Sequence, residues 1–309
     1  MTELEQLNAR YDDLESVQFA ERGDLVVMEI AHATCMAEIL LQGAQLIAYT
    51  PTGEKPVIWR SAETFYAEGT PIRGGIPVIG PWFGNLTDNP QIIQDGYDAT
   101  SEAQAHGFLR NAQWHLVGIA EDENGVTCTL GYNHDGIHGG WAQQFDVVVR
   151  YHVSTALNVS YEVHNASPNT LYMSAALHTY FAVGDITQVS VEGFDGCTYI
   201  DALDDRKEKL QKGSVKIDQE TDVVFLGVPR QQIISDVAWS RQIAIETQGS
   251  ESTILWNPWR DKAKTLSMFG NGEYREMLCI ETARVENDLM KIEQGTAERW
   301  GMMISCETH

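Results

Sequence analysis

The sequence predicts an all-β protein, a large antiparallel β-sandwich. Short apolar or alternating runs recur along nearly the whole chain, turn material rich in Gly, Pro and Asn separates them, and only the N-terminus and one later segment read as helix. No internal repeat, low-complexity linker or composition break divides the 309 residues, so one domain spanning 1–309 is expected.

Taken in order, residues 1–16 read as a short amphipathic helix, and residues 25–31, 34–40, 45–50 and 57–59 as an antiparallel meander with Pro51-Thr52-Gly53 at one turn. Residues 70–84 (TPIRGGIPVIGPWFG) fit neither the strand nor the helix period; an irregular, aromatic- and Gly-rich stretch of this kind in a globular chain is a functional candidate. Strands are expected again at 113–119, 126–133, 145–154 and 157–164. Residues 171–183 follow as an apolar strand carrying one imidazole, His178. Alternation places Met173, Ala175, Leu177, Thr179 and Phe181 on a core-like face, and Tyr172, Ser174, Ala176, His178 and Tyr180 on the other, with small side chains leaving room before the ring. After a strand at 189–192, residues 204–222 (DDRKEKLQKGSVKIDQETD) read as a solvated loop or hairpin. Residues 243–247 and 253–256 read as strands, 261–269 as a helix between Asn257-Pro258 and Gly270, and 277–285 and 298–306 as the last strands.

With 21 Lys+Arg against 44 Asp+Glu the net charge is -23, which excludes nucleic acid and anionic membranes as natural partners. A small anion remains possible where arginines are placed locally against that field. The 5 cysteines are scattered without CxxC spacing, so neither a disulfide framework nor a thiolate metal site is indicated, and a reducing cytoplasm is expected. The first residues lack a basic and an apolar segment in succession, no uncharged run has membrane-spanning length, and a soluble monomer is the expectation.

Two groups carry the chemistry. Glu281 is the only acid in the apolar run MLCIETARV; burial there raises a carboxyl toward the range of a general base, the structural alternative being a Glu satisfied by a backbone or arginine partner. His178 has the corresponding alternative of a histidine hydrogen-bonded within a sheet. In AHGFLRN, His106, Phe108 and Arg110 share a face if the segment is extended, and Arg73 lies in the Gly-rich stretch; Arg suits a phosphate or carboxylate, though each could equally pair with an acid. His134, Asp135 and His138 in HDGIHGG resemble a metal cluster only superficially, since the glycines favour a turn. No P-loop, dinucleotide fingerprint or nucleophile elbow is present, so no cofactor and no metal are expected.

Five ordered blocks, RGGIPVIGPWFG (73–84), HGFLRNAQW (106–114), ALHTYFAVGDITQVSVEGFDG (176–196), DQETDVVF (218–225) and WNPWRDKAKTLSMFGNGEYREMLCIETARV (256–285), resemble the D-hexose-6-phosphate mutarotase branch of the aldose 1-epimerase superfamily, from about residue 25 to the C-terminus. The resemblance implies a galactose-mutarotase-like sandwich (supersandwich) with a sugar site on a concave sheet face. It implies His178 and Glu281 as the catalytic pair, Arg73 and Arg110 as phosphate ligands, and His106 and Asp222 as sugar ligands. Trp82 of the first block joins the expected substrate site, with Trp82 and Phe83 as an aromatic wall, and so does Gln104, which stands one place before the position of the family's Gln ahead of HGF. The chain departs from the family pattern at Gly80 before the Pro of PWFG, at Ala105 with Gln104 one place early, and at Leu109 of HGFLR. These departures bear on pocket size and sugar preference.

The implied reaction suits the residue types. A base takes the C1 hydroxyl proton while an acid protonates the ring oxygen, the two groups flanking the sugar, and the ring opens, rotates and recloses without a metal or redox cofactor. The alternatives are a mutarotase for free aldoses, a non-catalytic carbohydrate or sugar-phosphate binder, and a glycosidase using Glu281 with Asp222.

Overall fold

The computed structural model describes residues 2–98 and 102–308. A nine-stranded antiparallel sheet runs in the order 215–216, 189–192, 231–236, 241–248, 297–308, 157–165, 145–153, 125–134, 115–122. An eight-stranded sheet runs 207–210, 198–201, 221–226, 252–257, 277–284, 175–177, 78–79, with 180–182 also paired to 277–284. One apolar cluster takes Leu177, Val223 and Leu278 from the eight-stranded sheet and Val149, Ile245 and Ile304 from the nine-stranded one, so the sheets face each other across it. The opposite face of the eight-stranded sheet has its own smaller cluster, with Ala176, Val224, Ile254 and Ala283, and this face carries the pocket described below.

The N-terminal helix Glu3–Arg10 begins with a capping box in which Thr2 and Glu5 satisfy each other's backbone N–H groups. The meander is a four-stranded sheet, but its first strand is Val17–Arg22, and residues 57–59 belong to no strand. The reason is that the amides of this segment are divided between two sheets: Val57 donates to Tyr49 O and Trp59 to Tyr180 O, at 3.0 and 2.9 Å.

Three further expectations change. The run 171–183 is three short strands, Leu171–Met173, Ala175–Leu177 and Tyr180–Ala182, although the predicted alternation survives: Met173, Ala175, Leu177 and Phe181 enter the inter-sheet core and Ala176 and Tyr180 the other side. The helix expected at 261–269 is only Trp259–Ala263; the Thr265 hydroxyl bonds Lys262 O at 2.8 Å and ends it. The charged segment 204–222 is neither a plain loop nor a hairpin: Lys207–Leu210 pairs with Thr198–Asp201 in the eight-stranded sheet and Val215–Lys216 with Val189–Glu192 in the nine-stranded one, so the segment passes from one sheet to the other, and its Arg206 and Asp222 line the pocket. In HDGIHGG the histidines part: His134 is buried with Nε2 2.9 Å from Trp141 O, while exposed His138 meets Asp135 at 3.1 Å. Among the described residues no helix is long and apolar enough to cross a membrane.

Candidate active site

Sheet register builds the site in rows. Leu177 opposes Thr282 and Tyr180 opposes Cys279, which sets His178 directly across from Glu281, and Glu281 in turn opposes Ile254 and Ile254 opposes Val224. The next row on the same face is Tyr180, Cys279, Trp256, Asp222. Between its two short strands the chain kinks at His178: Thr179 N returns to Leu177 O at 2.8 Å, and His178 N donates to Pro77 O at 3.0 Å.

His178 Nε2 lies 3.3 Å from Glu281 Oε1. The two are neighbours on one wall, not groups facing each other across a ligand, because adjacent strands of one sheet supply them. His178 is 8% exposed and Glu281 1%. Burial, then the nearby charges of Arg110 and Arg73, depresses His178 to about 3; burial, then the Asp222 carboxylate, pushes Glu281 well above the usual carboxylate range. Within the pair, low polarity therefore favours the arrangement with no net charge, the proton on Glu281.

Both occupy the wall of a cavity of about 490 Å³ whose other contributors include Arg73, Phe83, Ala105, His106, Tyr180, Arg206, Asp222, Trp256, Lys262 and Glu286. Arg73 is held by the turn that follows it. Gly74 and Gly75 have φ of 115° and 73°, and a Cβ on either would approach Arg60 Cα to 2.5 Å or Leu46 O to 2.4 Å, so only glycine lets this loop lie against the meander. Asp222 is raised to about 6, chiefly by burial and then by Glu220, against the pull of Lys262 and Arg206.

The segment around His106 is not extended. His106 itself takes φ of 67°, so its ring turns into the pocket, 5.6 Å from the His178 ring and 4.9 Å from Phe83, while Phe108 turns the other way to pack on Trp82 and Phe145. The shared face expected for His106, Phe108 and Arg110 is thereby lost, but His106 and Arg110 still converge electrostatically on His178. The His106 Nδ1 accepts from Gly84 N–H at 3.3 Å, which leaves Nε2 carrying the hydrogen, a donor for a hydroxyl. Burial, then the guanidinium charges of Arg110 and Arg73, hold the ring neutral.

Arg110 follows in a short 3₁₀ turn. Its Nη2 donates to Ala105 O at 2.9 Å, and it is not among the residues lining the cavity; burial lowers it to about 10, still charged at neutral pH. Neither Arg73 nor Arg110 has an ion pair with a described acid, and the Nε of each is buried without a protein partner, as are His178 Nδ1 and Glu281 Oε2. Arg73, His178 and Glu281, which line the cavity, bring three such atoms to it, which a polar ligand would satisfy, while Arg110 stays outside the lining.

Two expected residues stand elsewhere. Trp82 is a core residue, 1% exposed, packed on Tyr97, Phe108 and Trp141, with its indole N–H on Gln104 O at 2.9 Å; the aromatic wall is made by Phe83, Tyr180 and Trp256. Gln104 is exposed, and its side chain meets Asn111 at 3.3 Å outside the cavity. Of the departures, Gly80 is in the core, where a Cβ would meet Leu109 Cδ1 at 2.8 Å, and only Ala105 faces the cavity. Sequence reasoning missed Trp256, Arg206, Lys262 and Glu286. Trp256 was legible as the in-register neighbour of Cys279 once strands 253–256 and 277–285 are paired; Arg206 and Glu286 come from turns and Lys262 from the five-residue helix Trp259–Ala263, too short for its periodicity to say which side chain reaches the cavity.

A buried acid–base pair at one wall of a polar cavity, on the outer face of a large antiparallel sandwich, defines a class of sugar-handling sites, and residues 26–305 match the aldose 1-epimerase family model. The chain belongs to the aldose 1-epimerase family, a family of isomerases. It is 34% identical over 262 residues, 84% of this chain and 83% of the relative, to an Escherichia coli K12 protein provisionally named glucose-6-phosphate 1-epimerase. A Cenchrus ciliaris protein with the same provisional name is 28% identical, with 82% and 77% covered. The crystal structure of a provisionally named mutarotase from Salmonella typhimurium superposes with a TM-score of 0.86 at 26% identity, covering 98% of this chain and 100% of that one.

Proposed function

We propose that the protein is a hexose-6-phosphate mutarotase, interconverting the α and β anomers of glucose 6-phosphate and related hexose 6-phosphates. The observation that carries this reading is the pair of arginines without ion-pair partners, Arg73 and Arg110, beside the His178–Glu281 pair in a chain with more than twice as many acids as bases. Two cations without an acidic partner would remain uncompensated beside a neutral sugar; a phosphate dianion compensates both.

Once a phosphate offsets the two guanidinium charges, the proton that the unliganded pair holds on Glu281 passes to His178 across their 3.3 Å contact; in ring opening the Glu281 carboxylate then takes the proton of the C1 hydroxyl and the His178 imidazolium gives one to the ring oxygen. The C1–O5 bond breaks with its electrons on O5, and the O–H pair becomes the C1=O1 double bond. After rotation about C1–C2, neutral His178 takes the O5 proton, O5 attacks the aldehyde and Glu281 returns a proton to O1. Because O1 and O5 share C1, an acid and a base 3.3 Å apart on one wall can serve both. His106 Nε2–H and the Asp222 carboxylate hold ring hydroxyls, and Trp256 and Phe83 face the apolar side of the sugar. The chemistry needs no cofactor. Expected as a partner is a small-molecule sugar phosphate; the net charge favours a freely soluble monomer, and the scattered free cysteines favour a reducing cytoplasm.

Polarimetry of freshly dissolved α-glucose 6-phosphate tests this. Faster relaxation with protein than without, and a larger kcat/KM than for free glucose, is expected. Equal or greater efficiency on free glucose would instead identify an aldose mutarotase, and no acceleration for either would leave a binding protein.

A further inference from the structure

Tyr180 takes no part in the proton transfers, yet it touches both His178 and Arg73. Its ring lies parallel to the His178 imidazole, with centroids 4.8 Å apart and planes 6° from parallel, and Trp59 stacks on it at 5.7 Å. Its hydroxyl stands beside the Arg73 side chain, and the phenol is 3% exposed, kept protonated by burial. The imidazole is thus seated on a ring whose polar tip abuts the cation that faces the ligand. Arg73 comes from the Gly-rich loop and Tyr180 from the Tyr180–Ala182 strand, so two separate elements meet at this point. The charged and titratable groups facing His178 are Arg73, Arg110, His106 and Glu281.

We propose that the arginine end of the cavity is an activating site for a small oxyanion, and that an anion seated on Arg73 switches His178 into its proton-donating role through Tyr180 and through the local change of charge. The inference rests on the hexose-phosphate reading. Two positive guanidinium groups oppose an imidazolium beside them; a dianion seated on Arg73, the one of the two that lines the cavity, offsets that field and favours it. Seating the anion also fixes the guanidinium against the Tyr180 hydroxyl, and so fixes the ring on which the imidazole lies. The phosphate then acts on kcat as well as KM, since its binding is used where the proton moves. An anion need not be covalently attached to the sugar to do this.

The experiment supplies the substrate in two pieces. Anomer exchange of D-xylose, which lacks C6 and its phosphate, is followed by NMR with wild-type protein while phosphite dianion is titrated to saturation. A saturable acceleration of about 5- to 150-fold, the usual range for coupled sites, is expected. Tyr180→Phe keeps the stacked ring but loses the hydroxyl, and the acceleration should shrink; Arg73→Ala should abolish it. Phosphite that leaves xylose exchange unchanged, or only inhibits it, while the same protein turns over glucose 6-phosphate overturns the inference and leaves the mutarotase reading intact. If neither sugar is accelerated, the imidazole ¹⁵N resonances of His178, assigned with His178→Asn, decide: a phosphite-induced shift in the wild type that is reduced in Tyr180→Phe supports the coupling, and no shift overturns it.

Discussion

Replacing Glu281 by Gln removes a proton acceptor while keeping the shape of the wall, and two opposite effects follow. The carboxyl is 1% exposed, its Oε1 is 3.3 Å from His178 Nε2 and its Oε2 has no protein partner. One positioned proton transfer contributes about 10²- to 10⁴-fold, or ~2.7 to 5.5 kcal/mol of barrier, and kcat for anomer exchange should fall by that amount with a smaller change in KM. Stability should move the other way. Burial raises the Glu281 pKa in the folded protein, so the carboxyl favours folding fully only below its unfolded pKa of about 4.3, and that contribution is lost as pH rises through the folded value. The loss is ~1.4 kcal/mol for each unit of elevation. Gln is neutral throughout, so Glu281→Gln should be more stable than wild type at about pH 8 and nearly equal to it at about pH 4. Exchange NMR gives the rate and urea melts at the two pH values give the stability. A variant that keeps more than about a tenth of the wild-type kcat, or that is less stable than wild type at the higher pH, refutes the assignment of a buried, proton-accepting carboxyl.

Arg73→Ala removes charge-assisted hydrogen bonds worth about 1.5 to 3 kcal/mol, so kcat/KM for glucose 6-phosphate should drop about 10- to 150-fold, with a much smaller change for free glucose in parallel assays. Asp222 titrates near 6 and accepts sugar hydroxyls best when ionised, so kcat/KM should rise as pH passes through that value, and Asp222→Asn should lose this limb along with most of its substrate affinity. Its folded pKa is raised, so its contribution to stability is full below about 3.9 and declines as pH rises through about 6. Trp82→Ala should cost about 3 to 5 kcal/mol in a denaturant titration, because the indole is core; the fraction that remains folded should keep a near-native kcat. Arg206→Ala breaks a rim ion pair with Glu286 that is partly exposed, so stability should change by less than about 1 kcal/mol while KM rises.

The strands with clean alternation were legible because burial of one face leaves period two in the sequence: Phe145–Val153 and Leu157–Asn165 match expectation to within a residue. Gln231–Asp236 was not, since its buried positions include Gln232 and Asp236, which carry no apolar signal. His178 and Glu281 stood out as titratable groups inside apolar runs, and their runs are adjacent antiparallel strands, so the contact follows from register. The orientation of the HGF segment was not legible, because a left-handed φ at His106 reverses which side chains share a face. Trp82 shows the converse: proximity to Phe83 in sequence says nothing about the pocket when successive residues point to opposite sides, one into the cavity and one into the core. Arg206 reaches the cavity from a charged hairpin in which the sequence marks only solubility.

The most direct test of the mutarotase account is two-dimensional exchange NMR on the anomeric protons of glucose 6-phosphate at equilibrium, with wild-type protein, His178→Ala and Glu281→Gln at the same catalytic concentration. Cross-peaks between the α and β signals that build up faster with wild type, and at the uncatalysed rate with both variants, are the expected result. Equal build-up with all three proteins, or none above the spontaneous rate for folded wild type, would contradict it.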